Sequence, residues 1–442
     1  MSKQSASKSN IPLNPLAFIR KYDELWRRML FLIGALIVYR LGSHIPVPGM
    51  NPERLAQFFD GSQNTFLGMF NMFSGGALER MSIMALGIMP YISASIVVQM
   101  MSTVVPSLEA LKKEGETGRR TLNKYTRQGT LALAFVQAVG MSAGLISGGL
   151  TLTSGLGFYI PAVTSLVAGA MFLMWLGEQI TERGIGNGIS MLIFASIVSS
   201  APGMITQAFT DNLNLIVILL FAVLGLAVTA AIVYIERAQR RVPVNYAQKQ
   251  QEGRKVYAQQ QSHLPLKLNM AGVIPAIFAS SLLLLPATMG QWAGTSANPT
   301  TLQSIAQNIS LVLQPGSPLY LLLFAVFIIF FCYFYTALMF NPSEVAENLK
   351  RSGAYIPGIR PGQQTKRYLD FVLNRLTFIG AIYMTIICLM PMVIQTSFGV
   401  SFQLGGASLL IMVVVLMDFI AQVQAHLMTH QYHDQTLIKS SK

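Results

Sequence analysis

Long uncharged apolar runs, separated by shorter charged segments, dominate the chain. A helix that crosses a membrane needs about 20 mostly apolar residues. Eight uncharged runs reach that length or fall slightly short of it, namely residues 81–105, 129–146, 158–177, 189–205, 215–235, 270–293, 319–340 and 376–394. Two further runs, 29–43 and 405–427, each contain a single charged residue, Arg40 and Asp418 respectively. The pattern predicts ten membrane-spanning helices.

The composition excludes a soluble enzyme. The 442 residues are 52% hydrophobic and only 11% charged, whereas a soluble domain usually carries about 25% charged residues. These charges are too few to cover the surface of a water-soluble protein of this length. We therefore expect a protein that crosses the membrane many times.

The distribution of basic residues indicates the orientation of the chain. Membrane proteins keep Lys and Arg mainly in their cytoplasmic loops. If both termini are cytoplasmic and the spans alternate, the outer loops hold only Arg54 and Arg80 of the 31 Lys and Arg residues. Arg40 then lies near the outer end of the first span, where its side chain can reach the interface. We expect Asp418 to pair with a neighbouring helix.

A short apolar segment in the first outer loop does not fit the pattern of spans. Residues 65–78 place five phenylalanine or methionine side chains and Leu67 in a stretch too short to cross a membrane. Segments of 10–14 apolar residues are usually buried, re-entrant or interfacial. From composition alone, a helix tucked into the protein and a helix lying on the membrane fit equally well.

The spans carry little reactive chemistry. Cys332 and Cys388 lie in apolar runs and form neither a disulfide framework nor a metal pattern. His426, His430 and His433 are spaced to share one helical face, which fits a metal site less well than a solvated tail. A series of midplane ionisable residues, expected of an ion-coupled transporter, is missing. A small-solute transporter and a membrane-embedded enzyme are therefore the weaker alternatives to a channel.

Two runs and two loops stand out for other reasons. Runs 81–105 and 270–293 are rich in small and uncharged polar residues, which let helices approach closely. The predicted cytoplasmic loops 237–268 and 341–375 are long, basic and rich in turn-forming residues. Such loops present a fixed surface, and their charge suits anionic lipid, RNA or an acidic protein. Retention of basic residues on the cytoplasmic side explains the charge equally well, but not the length of the loops.

Several strings of residues resemble the SecY family, the channel subunits of the bacterial Sec protein translocase. They are FNMFSGG at 70–76, GIMPYISASI at 87–96, GIGNGIS at 184–190, NMAGVIP at 269–275, GIRPG at 358–362 and MDF at 417–419. The similarity extends in order from about residue 20 to residue 428. It implies a channel that passes unfolded preproteins across the membrane and releases hydrophobic segments sideways into the bilayer.

The resemblance implies an all-α membrane fold of ten helices in two pseudo-symmetric halves, helices 1–5 and 6–10, around an hourglass pore. The expected divisions are a cytoplasmic N-terminal segment 1–28, an N-terminal half 29–207, a C-terminal half 208–427 with loops 237–268 and 341–375, and a cytoplasmic tail 428–442. Residues 65–78 would form a short re-entrant plug helix. The plug residues are Phe66, Leu67, Met69, Phe70, Asn71, Met72, Phe73, Ser74 and Gly75.

The resemblance also assigns three sets of functional residues. The pore ring would comprise Ile88, Ile92, Ile189, Ile193, Ile277 and Ile411. The lateral gate between the second and seventh helices would comprise Ser93, Gln137, Asn269 and Ile274. The loops that bind the ATPase SecA or a ribosome would use Arg240, Arg241, Arg254, Lys255, Lys267 and Arg360.

The expected partners and location follow from the same family. They are the SecE and SecG subunits, SecA, a ribosome with its nascent chain, signal sequences of preproteins, membrane lipids, and the accessory proteins SecDF and YidC. The chain would lie in the bacterial inner membrane with both termini in the cytoplasm. No catalytic residue, cofactor or metal is implied.

Overall fold

The computed structural model describes residues 23–62, 66–153, 155–210, 215–246, 261–293, 308, 312–314, 316–398 and 405–440. The first half contains α1 (Asp23–Gly42), α2 (Pro52–Ser62), α3 (Phe66–Phe73), α4 (Met89–Val104), α5 (Pro106–Lys113), α6 (Glu116–Ser147), α7 (Leu156–Arg183) and α8 (Gly188–Thr210). The second contains α9 (Leu215–Arg237), β1 (Gln239–Tyr246), β2 (Gln261–Lys267), α10 (Ile274–Ala293), α11 (Pro318–Met339), α12 (Pro342–Arg351), β3 (Ala354–Tyr355), α13 (Gln363–Phe398) and α14 (Gly406–Ser440).

Ten of the helices coincide with the ten predicted runs. They are α1, α4, α6, α7, α8, α9, α10, α11, α13 and α14. By length and hydropathy alone, five of the described helices can cross a membrane, and a sixth span is possible if α4 and α5, bent by 97°, count as one. The all-α membrane fold class is thus confirmed, with a small sheet added to it.

Several helix ends differ from the ends of the apolar runs. α4 begins at Met89 rather than at residue 81, because Pro90 occupies the first turn of the helix and residues 74–88 form consecutive turns. The predicted divisions after residues 28, 207 and 427 fall inside α1, α8 and α14. These helices therefore continue past the apolar runs that predicted them.

Each half packs as a series of neighbouring helices, and the two series meet along two seams. In the first half α4 contacts α6, α6 contacts α7, and α7 contacts α8. In the second half α10 contacts α11, α11 contacts α13, and α13 contacts α14. The first seam joins α10 to α4 and α6, and the second joins α14 to α8. Exposed apolar side chains such as Ile37, Val97 and Phe378 cover the outer faces, as a lipid-facing surface requires.

The two long loops fold together into one unit, here called the loop sheet. β1 and β2 form an antiparallel hairpin in which Gln239 pairs with Lys267, and β3 pairs with the other edge of β1. Val242 and Val244 alternate inward along β1 and pack on Leu266 and Leu369, as the two-residue period of a strand dictates. The sequence predicted a fixed surface here but not its strands.

Candidate functional site

A small cavity lies where the two halves of the molecule meet. Its wall is formed by Phe70, Phe73, Ser74, Leu86, Gly87, Ile88, Met89, Ile92, Ile193 and Ile277. These residues belong to α3, to the turns after it, and to α4, α8 and α10, so both halves contribute. The cavity measures about 10 Å³, which is roughly the room that one water molecule needs. The two halves of the molecule therefore meet around an apolar cavity that is almost closed.

Four of the six predicted pore-ring isoleucines line this cavity, namely Ile88, Ile92, Ile193 and Ile277. The other two belong to the same apolar core without reaching the cavity wall. Ile411 of α14 is fully buried, and Ile189 packs at the start of α8 beside Gly177 of α7. The structure thus brings four of the six together, and a ring of six stays a prediction.

The predicted plug segment contains a shorter helix than expected. α3 ends at Phe73, because Gly75 and Gly76 adopt φ angles of 68° and 78° that reverse the chain. Phe70, Met72 and Phe73 are buried, and α3 packs against α8 and α10. The helix therefore lies inside the protein, not on its surface. The side chains of Phe66, Leu67 and Met69 lie outside the described part of the structure.

Hydrogen bonds from the first span hold the end of the plug. Tyr39 Oη donates to the Ser74 carbonyl oxygen at 3.1 Å and lies 2.6 Å from Ser196 Oγ. Arg40 Nη1 donates to the Gly75 carbonyl oxygen at 2.9 Å. Arg40 is therefore bound to the predicted plug segment, and its reach toward the interface stays a prediction. A charge inside a span usually needs a partner, and that signal in the sequence could have identified this anchor.

A second polar contact fixes the plug on its other side. Asn71 Nδ2 donates to Glu79 Oε2 at 3.1 Å, and the Glu79 amide donates back to Asn71 Oδ1 at 3.0 Å. Ser200 Oγ of α8 approaches the Met72 carbonyl oxygen at 3.5 Å. Asn71, predicted as a plug residue, thus ties α3 to the turns that lead into α4.

The predicted lateral-gate residues fall into two places. Ser93 and Gln137 are buried on α4 and α6, and neither Ser93 Oγ nor Gln137 Oε1 has a hydrogen-bond partner among the described residues. Across the same seam Ser281 Oγ of α10 donates to Met89 Sδ of α4 at 3.5 Å. The α4–α10 seam is therefore closed by apolar packing with weak polar contacts.

Asn269 lies apart from that pair, just before α10. Its Nδ2 atom donates to Glu236 Oε1 at 2.6 Å and to the Gly272 carbonyl oxygen at 3.0 Å. Ile274 begins α10 and packs against the core. A single polar cluster of Ser93, Gln137 and Asn269 stays a prediction, since Asn269 bonds to Glu236 and Gly272 instead. Glu236 was missed in the sequence because it follows directly on an apolar run.

The predicted partner-binding cations cover the loop sheet. Arg240, Arg241, Lys267 and Arg360 are exposed, and β1, β2 and the turn after β3 carry them on one folded unit. Arg254 and Lys255 lie outside the described residues. Asp418 is exposed on α14, so the expected pairing with a neighbouring helix is not seen in the described part of the chain.

No group of three potential metal ligands occurs among the described residues. Cys332 and Cys388 are buried and free, and His430 and His433 have side chains outside the described part.

Comparison with known proteins decides the family. A family model described as SecY matches residues 82–420. The chain is 60% identical over 423 residues to "Protein translocase subunit SecY" of Pseudomonas aeruginosa, covering 95% of this chain and 94% of that protein. The chain belongs to the SecY family. It is also 58% identical over 417 residues to the SecY of Escherichia coli strain K12, covering 92% and 93% of the two chains.

Solved structures share the fold at low sequence identity. One, described as "The structure of a protein conducting channel", has a TM-score of 0.63 at 14% identity and covers 92% of this chain and 93% of that chain. An idle yeast Ssh1 complex bound to the yeast 80S ribosome has a TM-score of 0.62 at 16% identity, over 95% and 94% of the two chains. This SecY-family chain is the pore-forming subunit of a membrane protein translocase and not an enzyme.

Proposed function

We propose that the cavity between the halves is the closed constriction of the protein-conducting pore. The observation that carries the proposal is its wall, where Ile92 of α4, Ile193 of α8 and Ile277 of α10 meet Phe70 and Phe73 of the plug. Side chains from three helices of both halves thus converge on one point. Displacing α3 would leave the isoleucines as the narrowest part of the path.

An apolar constriction suits a channel that must pass chains of any sequence. Aliphatic side chains bind no particular residue of the moving polypeptide, so no substrate is held back. A narrow apolar passage also excludes water, and ions cannot cross it with their hydration shells. The pore ring of Ile88, Ile92, Ile189, Ile193, Ile277 and Ile411 remains our assignment for this seal.

The seam between α4 and α10 is the lateral gate in this proposal. Interhelical hydrogen bonds in membranes contribute only about 0.6 kcal/mol each, and the bond from Ser281 to the Met89 sulfur across this seam is a weak one. Separating the helices therefore costs little polar energy. A signal sequence with an apolar core of about 7–15 residues could insert between α4 and α10 and leave toward the lipid.

The loop sheet faces the cytoplasm in this proposal, and both chain termini lie on the same side of the bacterial inner membrane. The basic residues support this orientation, because Arg240, Arg241, Lys267 and Arg360 are exposed together. Their charge suits ribosomal RNA and acidic surfaces of SecA. A fold neighbour, the yeast Ssh1 complex, is bound to a ribosome, which agrees with a ribosome as one partner. SecE, SecG, signal sequences and lipids complete the assembly, with SecDF and YidC as accessory partners.

Cross-linking of a stalled nascent chain tests the proposed path. A photoreactive residue placed at Ile92 should cross-link to the chain in transit, because Ile92 is buried on the cavity wall. The matched control is Val97 on the same helix, which is 52% exposed on the outer face. Val97 should cross-link to lipid instead. Equal capture of the nascent chain at both positions would refute the path.

A further inference from the structure

A half-buried carboxylate at the end of α9 is hydrogen-bonded to the segment that precedes α10. Glu236 is followed only by Arg237 in α9, and its Oε1 atom accepts a hydrogen bond from Asn269 Nδ2 at 2.6 Å. The same amide group donates to the Gly272 carbonyl oxygen at 3.0 Å. Asn269, only 5% exposed, thus joins Glu236 to the turn from which α10 starts.

This side-chain contact continues the ladder of the loop-sheet hairpin. β1 and β2 pair up to Gln239 and Lys267. One step further, the Leu268 amide donates to the Ala238 carbonyl oxygen at 3.0 Å. The side-chain bond between Glu236 and Asn269 lies just beyond this backbone bond. Backbone and side-chain hydrogen bonds therefore both link the end of the hairpin to the segment that leads into α10.

The opposite face of this segment is held by α13. A Cβ atom at Gly380 would lie 3.0 Å from the Leu268 carbonyl oxygen and 3.7 Å from Asn269 Cα. The backbone at residues 268–269 is therefore wedged between α9 and α13. A sideways movement of the hairpin has to be passed on along the chain, and α10 begins only a few residues later, at Ile274.

We propose that Glu236 is a positioning residue for the lateral gate, which ties the partner-binding hairpin to the start of α10 through Asn269. The inference rests on the proposed function, in which α10 is one side of the gate. A SecA molecule or ribosome that displaces the hairpin moves Asn269, and Asn269 moves the first turn of α10 relative to α4. With the bond intact and no partner bound, α10 stays packed against α4.

Loss of the bond frees the start of α10 and favours the open gate. A hydrogen bond to a charged group contributes enough to stability that its loss shifts an equilibrium by about ten-fold or more. Glu236→Ala removes the acceptor. Glu236→Gln keeps the shape but leaves only a neutral acceptor, so its effect should be smaller. Both should let a reporter with a defective signal sequence be exported.

The state of the gate can be read from a disulfide across the seam. Met89→Cys and Ser281→Cys place two thiols at facing positions of the seam, since the native side chains touch there, in a chain carrying Cys332→Ala and Cys388→Ala. In membrane vesicles containing the whole translocase, Glu236→Ala should raise the open-to-closed ratio of the gate about ten-fold and thereby slow disulfide formation. Glu116→Gln, at an exposed carboxylate paired with Arg120, is the control and should change neither the disulfide nor export.

Exchanging the two side chains separates positioning from mere structural support. Asn269→Asp alone sets two carboxylates against each other and should open the seam. Adding Glu236→Gln restores one amide donor and one carboxylate acceptor, so the doubly substituted protein should form the disulfide faster than Asn269→Asp alone. Failure of this rescue overturns the inference.

The outcomes distinguish this inference from the proposed gate. If Asn269→Ala slows the disulfide and relaxes signal selection while Glu236→Ala and Glu236→Gln do neither, the role of Glu236 is wrong and the gate stands. If no substitution at either position changes the disulfide or the export of the defective reporter, the assignment of α10 as a gate helix fails as well.

Discussion

Single residues decide how closely the helices approach one another. A Cβ atom at Gly169 of α7 would lie 1.9 Å from the Ile83 carbonyl oxygen, whereas a Cβ atom at Gly225 of α9 would meet nothing within 4 Å. The two glycines thus differ in whether the structure has room for a side chain at their positions. The sequence marked runs 81–105 and 270–293 as rich in small residues. It could not single out Gly169, because its partner lies in a turn far away in the chain.

Gly169→Ala should destabilise the protein, because one of two backbones must move to admit the methyl group. Overpacking of this kind costs about 1–3 kcal/mol. Thermal unfolding in detergent should show a lower midpoint for this variant. Gly225→Ala is the matched control, and it should leave the midpoint unchanged or raise it, because alanine favours a helix over glycine. Equal midpoints for the two variants would contradict the packing described for α7.

Short elements depend on anchors from other parts of the chain. The apolar segment 65–78 was recognisable as a non-spanning element from its length, but whether it lay inside the protein was not. The segment lies inside the protein because α3 packs against α8 and α10. Tyr39 and Ser196, which belong to two other spans, also hold its end. Contacts between distant segments leave no periodic signal in a single sequence.

Tyr39→Phe should loosen the plug, because it removes the hydroxyl that bonds the Ser74 carbonyl and Ser196. Losing a buried hydrogen-bond partner costs about 1–3 kcal/mol. Amide hydrogen exchange in α3 should therefore become about ten-fold faster or more, while exchange in α13 stays unchanged. The control is Tyr234→Phe, since Tyr234 is 79% exposed on α9. Unchanged protection of α3 in the Tyr39 variant would exclude the anchor.

At the scale of the whole molecule, strands from the two long loops form one sheet. Their length and charge predicted a binding surface, yet the strands were not predicted. β1 contains Pro243, which usually argues against a strand, and β3 joins β1 from more than 100 residues later in the chain. The order of the ten helices, in contrast, followed from hydropathy alone. Membranes impose length and polarity so strictly that local sequence is sufficient for that part of the fold.

Arg360→Glu should weaken ribosome binding about ten-fold at low salt, since reversing a cation loses one phosphate contact and adds a repulsion. The dependence of binding on salt should also become shallower. Co-sedimentation of ribosomes with reconstituted vesicles over a salt series measures both. Arg120→Glu makes the same charge change at an exposed residue of the first half and should have little effect. Equal losses in both variants would mean that charge alone, and not the loop sheet, governs binding.

The resting ion leak of the channel tests the central claim most directly. Ile92→Asn combined with Ile193→Asn places two polar groups on the wall of the constriction and should let it hydrate. In planar-bilayer recordings of the resting translocase, the conductance of this variant should exceed that of the unaltered protein. Ile92→Leu combined with Ile193→Leu keeps the wall apolar and should keep the seal. A polar variant that conducts no more than the leucine variant would contradict the apolar seal.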